Sequence, residues 1–258
     1  MTPPPETPMS QDFILETRGL SKECLGLHAA SDVNLKVRRC TSPALIGPNG
    51  AGKTTVFNLL TKYHQPTAGQ ILFNGNDITR DNQVQVARRG MIRSFQISAT
   101  FSHLTVMENV RVALQRTRSD SFNFWSSERK LNVLNDRAME LLTEVDLASF
   151  ADTITVEMPY GRKRALEIAT TLALNPDLML LDEPTQGMGH EDVGRVVELI
   201  KKVSANRTIL MVEHNLSVVE SLCHTITVLQ RGSVLAEGNY ATVSKDPRVL
   251  EAYVGVEA

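Results

Sequence analysis

An apolar triplet, Ala44-Leu45-Ile46, runs straight into Gly47-Pro48-Asn49-Gly50-Ala51-Gly52-Lys53-Thr54, which satisfies G-x-x-x-x-G-K-[ST]. This order of residues constrains the fold more than any other stretch. A buried strand ends where the glycines begin, the glycines turn the chain tightly, and a helix starts near Lys53. Backbone N–H groups of the loop then converge on one point, where the positive end of the helix dipole also lies. A phosphate fits that point. The loop surrounds β- and γ-phosphates, Lys53 adds charge, and the Thr54 hydroxyl can ligate Mg2+.

The rest of the chain narrows the function by exclusion. Its 258 residues suffice for one large domain, or one carrying a subdomain. A net charge of −2 gives no reason to expect nucleic acid as the main partner. Cys24, Cys40 and Cys223, odd in number and far apart, form neither a disulfide framework nor a zinc pattern, and suit a reducing cytoplasm. No apolar run approaches the roughly 18–20 residues of a membrane span. The start, Met1-Thr2-Pro3-Pro4-Pro5-Glu6, has no charged segment followed by an apolar one, so it is not read as a signal peptide. Residues 1–12 are expected to form a disordered or polyproline-like tail, and residues 13–258 one domain.

Strands are expected at 13–18, 33–37, 44–46 and 70–73, with a helix at 54–61. From 106 to 147 the chain is rich in helix formers, broken by a loop carrying Phe122, Phe124 and Trp125. A helix over 163–174 stops at Asn175-Pro176, because proline cannot extend it. Strands at 178–181 and 209–212 then alternate with helices at 193–203 and 216–223. A hairpin over 226–229 and 234–237 turns at Arg231-Gly232-Ser233. Such alternation predicts a mainly parallel, helix-covered sheet. No internal repeat is present, hence one nucleotide-binding unit per chain.

The second informative string is Leu178-Met179-Leu180-Leu181-Asp182-Glu183-Pro184. An apolar strand ending in two acids places them at the carboxyl edge of the sheet, beside the phosphate loop. Asp182 is expected to hold Mg2+ through water. Glu183 is expected to orient or deprotonate the attacking water, since phosphoryl transfer needs positioning and charge neutralisation more than covalent help.

With both strings in place, the chain after residue 12 resembles the ATP-binding subunits of ABC transporters. The resemblance implies a P-loop NTPase core of mainly parallel sheet, an antiparallel N-terminal β-subdomain, and an α-helical subdomain inserted over roughly 97–160. It implies ATP bound by Gly47, Pro48, Asn49, Gly50, Ala51, Gly52, Lys53, Thr54 and Thr55, with Mg2+ held by Thr54, Gln96 and Asp182. Gln96, in Ser94-Phe95-Gln96, matches the glutamine loop, which also contacts the attacking water and relays nucleotide state to the permease. His214, in Val212-Glu213-His214, matches the switch histidine that bridges to the γ-phosphate; the other five histidines match nothing. Glu183, His214 and Gln96 are thus the implied catalytic set.

Met158-Pro159-Tyr160-Gly161-Arg162 lies where the family has its Leu-Ser-Gly-Gly-Gln signature, which contacts ATP across a dimer. Pro159 replaces the serine. The helix N-terminus and the Gly161 N–H remain as anion donors, and Arg162 adds charge, so Tyr160, Gly161 and Arg162 are the expected contacts in trans. The missing hydrogen bond is worth roughly 0.5–1.5 kcal/mol if neutral and up to about 3 if charge-assisted. Cys24 stands where the family has its adenine-stacking aromatic, leaving Leu25 or Leu27 for aliphatic contact. Gly189 stands where many relatives carry Asp.

The strings 45–55, 159–161, 166–169, 212–215 and 246–255 resemble the branch that imports branched-chain amino acids in bacteria and archaea. The long middle insertion is similar to the larger of its two ATPase subunits. The resemblance implies a second ATPase subunit, two permease subunits and, indirectly, a solute-binding protein as partners. It places the chain as a peripheral subunit on the cytoplasmic face of the membrane. Phe122, Phe124 and Trp125 are read as subdomain packing or a permease contact. Arg162-Lys163-Arg164 is read as phosphate-facing or solvated. Two other classes are weighed: a non-hydrolytic nucleotide-sensing module, motivated by Cys24, Pro159 and Gly189, and a soluble relative acting on ribosomes or DNA. The second usually carries two nucleotide domains or a long coiled coil, and neither is seen here.

Overall fold

The computed structural model describes residues 12–24, 26–94, 100–116 and 132–254. In chain order these form β1 (Phe13–Cys24), β2 (Leu27–Val33), β3 (Lys36–Arg38), β4 (Ala44–Ile46), α1 (Lys53–Leu60), β5 (Ala68–Phe73), β6 (Asn76–Asp77), α2 (Gln83–Arg88), β7 (Met91–Ser94) and α3 (Val106–Gln115). Then follow α4 (Asn135–Glu144), α5 (Tyr160–Ala173), β8 (Leu178–Asp182), α6 (His190–Ser204), β9 (Thr208–Val212), α7 (Leu216–Leu222), β10 (Ile226–Gln230), β11 (Ser233–Gly238), α8 (Tyr240–Val243) and α9 (Pro247–Val254).

Two sheets share the molecule. One runs β11-β10-β4-β9-β8-β7 and is parallel apart from the β10–β11 hairpin. The other is antiparallel, in the order β2-β1-β5-β6, with β3 also on β1. The apolar runs of β4, β8 and β9 follow from burial on both faces. Ala44, Ile46, Met179, Leu181, Ile209 and Met211 enter a core with α3–α7, while Leu45, Leu178, Leu180, Leu210 and Val212 enter a core with α1 and the antiparallel sheet. Because β4, β9, β8 and β7 are adjacent and parallel, their carboxyl ends come out at one edge. The helices α3, α4 and α5 pack on one another beside that edge.

Two local expectations are corrected, and two elements are added. The strand expected over 33–37 is broken at Asn34, because the Thr17 hydroxyl donates to the Val33 carbonyl at 2.8 Å and accepts from the Leu35 N–H at 2.8 Å. A side chain thus takes the place of ladder bonds across the break. α5 begins at Tyr160, three residues before the expected Lys163, with the Pro159 carbonyl accepting from the Arg162 and Lys163 N–H groups. Proline is tolerated there because it precedes the first helical N–H groups, which lack intrahelical partners anyway. α2 and β7 were not anticipated. The signal for α2 was present as Asn82-x-x-Gln85, whose side chains form a reciprocal capping box. Phe122, Phe124, Trp125, Leu25 and residues 1–11 lie outside the described residues.

Cys24, Cys40 and Cys223 are free thiols. Cys223 is buried, and its pKa is pushed up to about 12, first by burial and then by the negative charge of Glu213. Cys24 and Cys40 are exposed. At about pH 8 a thiol reagent should therefore modify two thiols in the folded chain and the third only on unfolding, because the thiolate is the reactive form. Mass spectrometry of labelled native and urea-unfolded protein checks this; rapid native labelling of Cys223 would contradict it.

Candidate nucleotide site

The loop after β4 needs its glycines for packing as well as for conformation. Gly47 has φ +149°, and a Cβ there would lie 2.2 Å from the Leu229 carbonyl oxygen. Gly52 has φ +100°, and its Cβ would lie 2.6 Å from the Ala29 carbonyl oxygen. At these two positions the loop is pressed against β10 and β2 with no room for a side chain. The Ala51 N–H donates to the Pro48 carbonyl at 3.1 Å, and the Gly232 N–H donates to the Ala51 carbonyl at 2.9 Å. The Ser31 N–H in turn donates to the Gly232 carbonyl at 2.8 Å. The hairpin turn and the antiparallel sheet thus brace the loop from outside.

Lys53 opens α1 with its side chain buried, and its ammonium donates to the carbonyls of Gly47 at 2.6 Å and Pro48 at 3.0 Å. Burial lowers its pKa from the ordinary lysine value, while the charges of Glu183 and Asp182 pull it back up. Both acids therefore act on the same ammonium, which places the two sequence strings at one site. Asn49, Gly50 and Thr54 are exposed and Thr55 is half-buried, so the loop presents its outer edge to solvent.

Asp182 ends β8 and is 2% exposed. Its carboxylate is paired with Arg93 of β7, whose guanidinium also donates to Asn58 of α1 at 2.7 Å. Glu183 follows in the left-handed region, φ +44°, with its N–H donating to the Val212 carbonyl at 2.9 Å. A non-glycine residue there costs roughly 1–3 kcal/mol, which the surrounding fold must hold in place. The Glu183 carboxylate ends 3.9 Å from Nδ1 of His214, a half-exposed side chain just beyond β9.

Glu213 carries no role in the sequence pattern, and the structure gives it one. It is fully buried. One carboxylate oxygen accepts from the Thr185 N–H at 3.1 Å and the Thr185 hydroxyl at 2.5 Å; the other accepts from the N–H groups of His214 at 3.0 Å and Asn215 at 3.1 Å. This side chain ties the loop after Glu183 to the one carrying His214. Its signal in the sequence was a charged residue directly after a strand buried on both faces.

Arg164 is a second residue missed, and the expectation of a phosphate-facing or solvated Arg162-Lys163-Arg164 stretch is corrected for it. Arg164 is buried, bonded to Glu167 at 2.5 Å and to the carbonyls of Asp182 at 2.9 Å and Pro184 at 3.3 Å. Helical spacing turns it inward, so α5 clamps the backbone that carries the two acids. Arg162 donates to the Asp146 carbonyl at 2.9 Å and lies over the Phe150 ring. Tyr160 is exposed, and Pro159 supplies no side-chain cap to α5. At Gly161 a Cβ would come within 2.7 Å of the Asp192 carboxylate, so even alanine would require Asp192 to move.

Cys24 and Leu27 pair at the tip of the β1–β2 hairpin, and both are exposed. Gly189 is the N-cap of α6 and provides no side-chain acceptor. At the other end of the chain, α9 buries Val249 and Ala252 and brings the Tyr253 phenol beside the Gly47 backbone; burial raises that phenol's pKa. Gln96 lies outside the described residues. Among the other predicted residues, the phosphate loop, Asp182, Glu183 and His214 are brought to one sheet edge, and Tyr160, Gly161 and Arg162 form the first turn of α5.

Comparison with known proteins gives the family and the fold. A family model described as ABC transporter matches residues 30–186, and one described as branched-chain amino acid ATP-binding cassette transporter matches residues 233–258. The high-affinity branched-chain amino acid transport ATP-binding protein BraF of Pseudomonas aeruginosa is 37% identical over 252 residues, covering 94% of this chain and 98% of the relative. LivG of Escherichia coli K12, of the same description, is 36% identical over 254 residues, covering 96% and 99%. The crystal structure of the ADP conformation of MJ1267, an ATP-binding cassette of an ABC transporter, superposes with a TM-score of 0.82 at 25% identity, covering 94% of this chain and 99% of that one.

Proposed function

The chain belongs to the family of ABC transporter ATP-binding subunits, and from that premise we propose that it hydrolyses Mg-ATP to drive import of branched-chain amino acids or related small amino acids and amides through a membrane permease. The observation that carries this reading is the shared edge of β4, β9 and β8. It supplies the phosphate loop, the Glu183 carboxylate and the His214 imidazole to one site.

In this reading Gly47 to Thr55 hold the phosphates, through backbone N–H groups and the Lys53 ammonium released from its carbonyl partners. Glu183 accepts the proton of the attacking water, and His214 stands at the γ-phosphate end. Glu213 and Arg164 fix the loops that carry these two. Thr54 and Asp182 offer hard oxygen donors of the kind that suits Mg2+, and we assign them, with Gln96, to hold it. The metal's contribution is to neutralise charge on the phosphates. Replacing Lys53 by Ala should abolish detectable nucleotide binding in a fluorescent-ATP titration of an otherwise folded chain. Wild-type affinity in that variant would remove the loop from its role.

One chain carries one phosphate loop and one α5 N-terminus. We therefore assign Tyr160, Gly161 and Arg162 to the ATP of a second ATPase subunit. A cleft of about 850 Å³ opens between α2–β7 and α3–α5, with the exposed apolar side chains Val84, Phe101 and Val112 among its lining. Ser94 and Phe101, which flank the Gln96 segment, also line it. We assign this cleft to the permease, which puts the chain on the cytoplasmic membrane face and a solute-binding protein one step further away. Replacing Val84 and Phe101 together by Asp should release the chain from permease-containing membranes in a flotation assay while ATP binding stays intact. Unchanged co-flotation would place the docking surface elsewhere.

A further inference from the structure

The Arg93–Asp182 pair joins three elements at the floor of the site. Arg93 comes from β7, Asp182 ends β8, and the same guanidinium bonds Asn58 and lies over the Phe57 ring of α1, the helix that also carries Thr54. The two side chains are 11% and 3% exposed, so neither charge is offset by water. A buried carboxylate with no counter-charge is costly, and arginine supplies one in the absence of metal. Yet among the described residues the arginine is not fully satisfied: its Nε is buried without a hydrogen-bond partner there. It therefore has less to lose by moving than an arginine bonded on every nitrogen. Arg93 also lines the 850 Å³ cleft, which in the chain without its permease leaves the guanidinium room to move.

We propose that Arg93 is a positioning residue that occupies the Asp182 carboxylate in competition with the divalent cation, and so sets how much Mg2+ nucleotide binding requires. The inference rests on the reading of Asp182 as a metal-side acid. Two positive charges cannot both use the same buried carboxylate at full strength, so cation capture includes the cost of weakening the Arg93 pair. With Arg93 in place, metal-free nucleotide leaves the acid paired rather than bare.

The experiment measures the Mg2+ concentration that half-saturates fluorescent-ATP binding, using the full chain in wild-type form and as Arg93→Met, Arg93→Lys and Asp182→Asn. Arg93→Met keeps most of the stem and removes the charge; its half-point should fall on the order of tenfold, the scale of losing one repelling charge at a shielded site. Arg93→Lys, a charge without the planar fork, should fall between Met and wild type. Asp182→Asn should raise the half-point. A half-point equal to or above wild type in both Arg93 variants, with Asp182→Asn still raised, overturns the role of Arg93 alone. An unchanged half-point in Asp182→Asn overturns the reading of Asp182 and this inference with it. Should Arg93→Met fail to fold, as circular dichroism would show, Arg93→Lys decides: a lowered half-point supports the proposal, and an unchanged or raised one overturns it.

Discussion

Replacing Glu183 by Gln is expected to leave ATP binding near wild type and to cut phosphate release by about 10²–10⁴-fold, the range a lost general base accounts for. The amide matches the carboxylate in shape, so the left-handed backbone at residue 183 and its bond to the Val212 carbonyl need not change. What is lost is the capacity to accept a proton 3.9 Å from His214. Because the substitution leaves Lys53 and the loop from Gly47 to Thr55 unchanged, the groups assigned to the phosphates remain in place. Equilibrium binding and single-turnover phosphate release on one preparation separate the two effects. Near-normal turnover would take the base role away from Glu183.

Replacing Glu213 by Gln should be nearly as damaging, for a different reason. The buried carboxylate accepts from Thr185 through one oxygen and from His214 and Asn215 through the other. A glutamine amide retains only one oxygen, so its NH2 must face N–H donors on one side. Each unsatisfied buried donor costs about 1–3 kcal/mol, and the variant should lose about 2–4 kcal/mol in urea unfolding. Turnover should drop because His214 is no longer fixed opposite Glu183, while ATP binding persists in the folded fraction. Wild-type stability and turnover together would show that the carboxylate is not the tie between the two loops.

The sequence made the centre of this site readable because its chemistry is local. Eight consecutive residues define the phosphate loop, and Asp182-Glu183 sit directly at the end of an apolar run. That Glu183 and His214 meet, by contrast, depends on β9 lying between β4 and β8, an order that no linear pattern states. Glu213 and Arg164 were passed over because charged residues near strand and helix ends are usually solvated. Their burial is visible only once α5 and the loop after β9 are packed. The break at Asn34 escaped notice for a related reason: the hydroxyl that substitutes for the ladder belongs to Thr17, on another strand.

Hydrolysis of ATP by this subunit is expected despite its departures from the family pattern at Cys24, Pro159 and Gly189. Phosphate release from Mg-ATP by the chain assembled with its permease and partner ATPase in lipid tests it most directly. Multiple turnovers are predicted, rising when the solute-loaded binding protein is added and lost when Lys53 of this chain is replaced by Ala. ATP held at the site without phosphate release from the wild-type assembly would contradict the hydrolytic account.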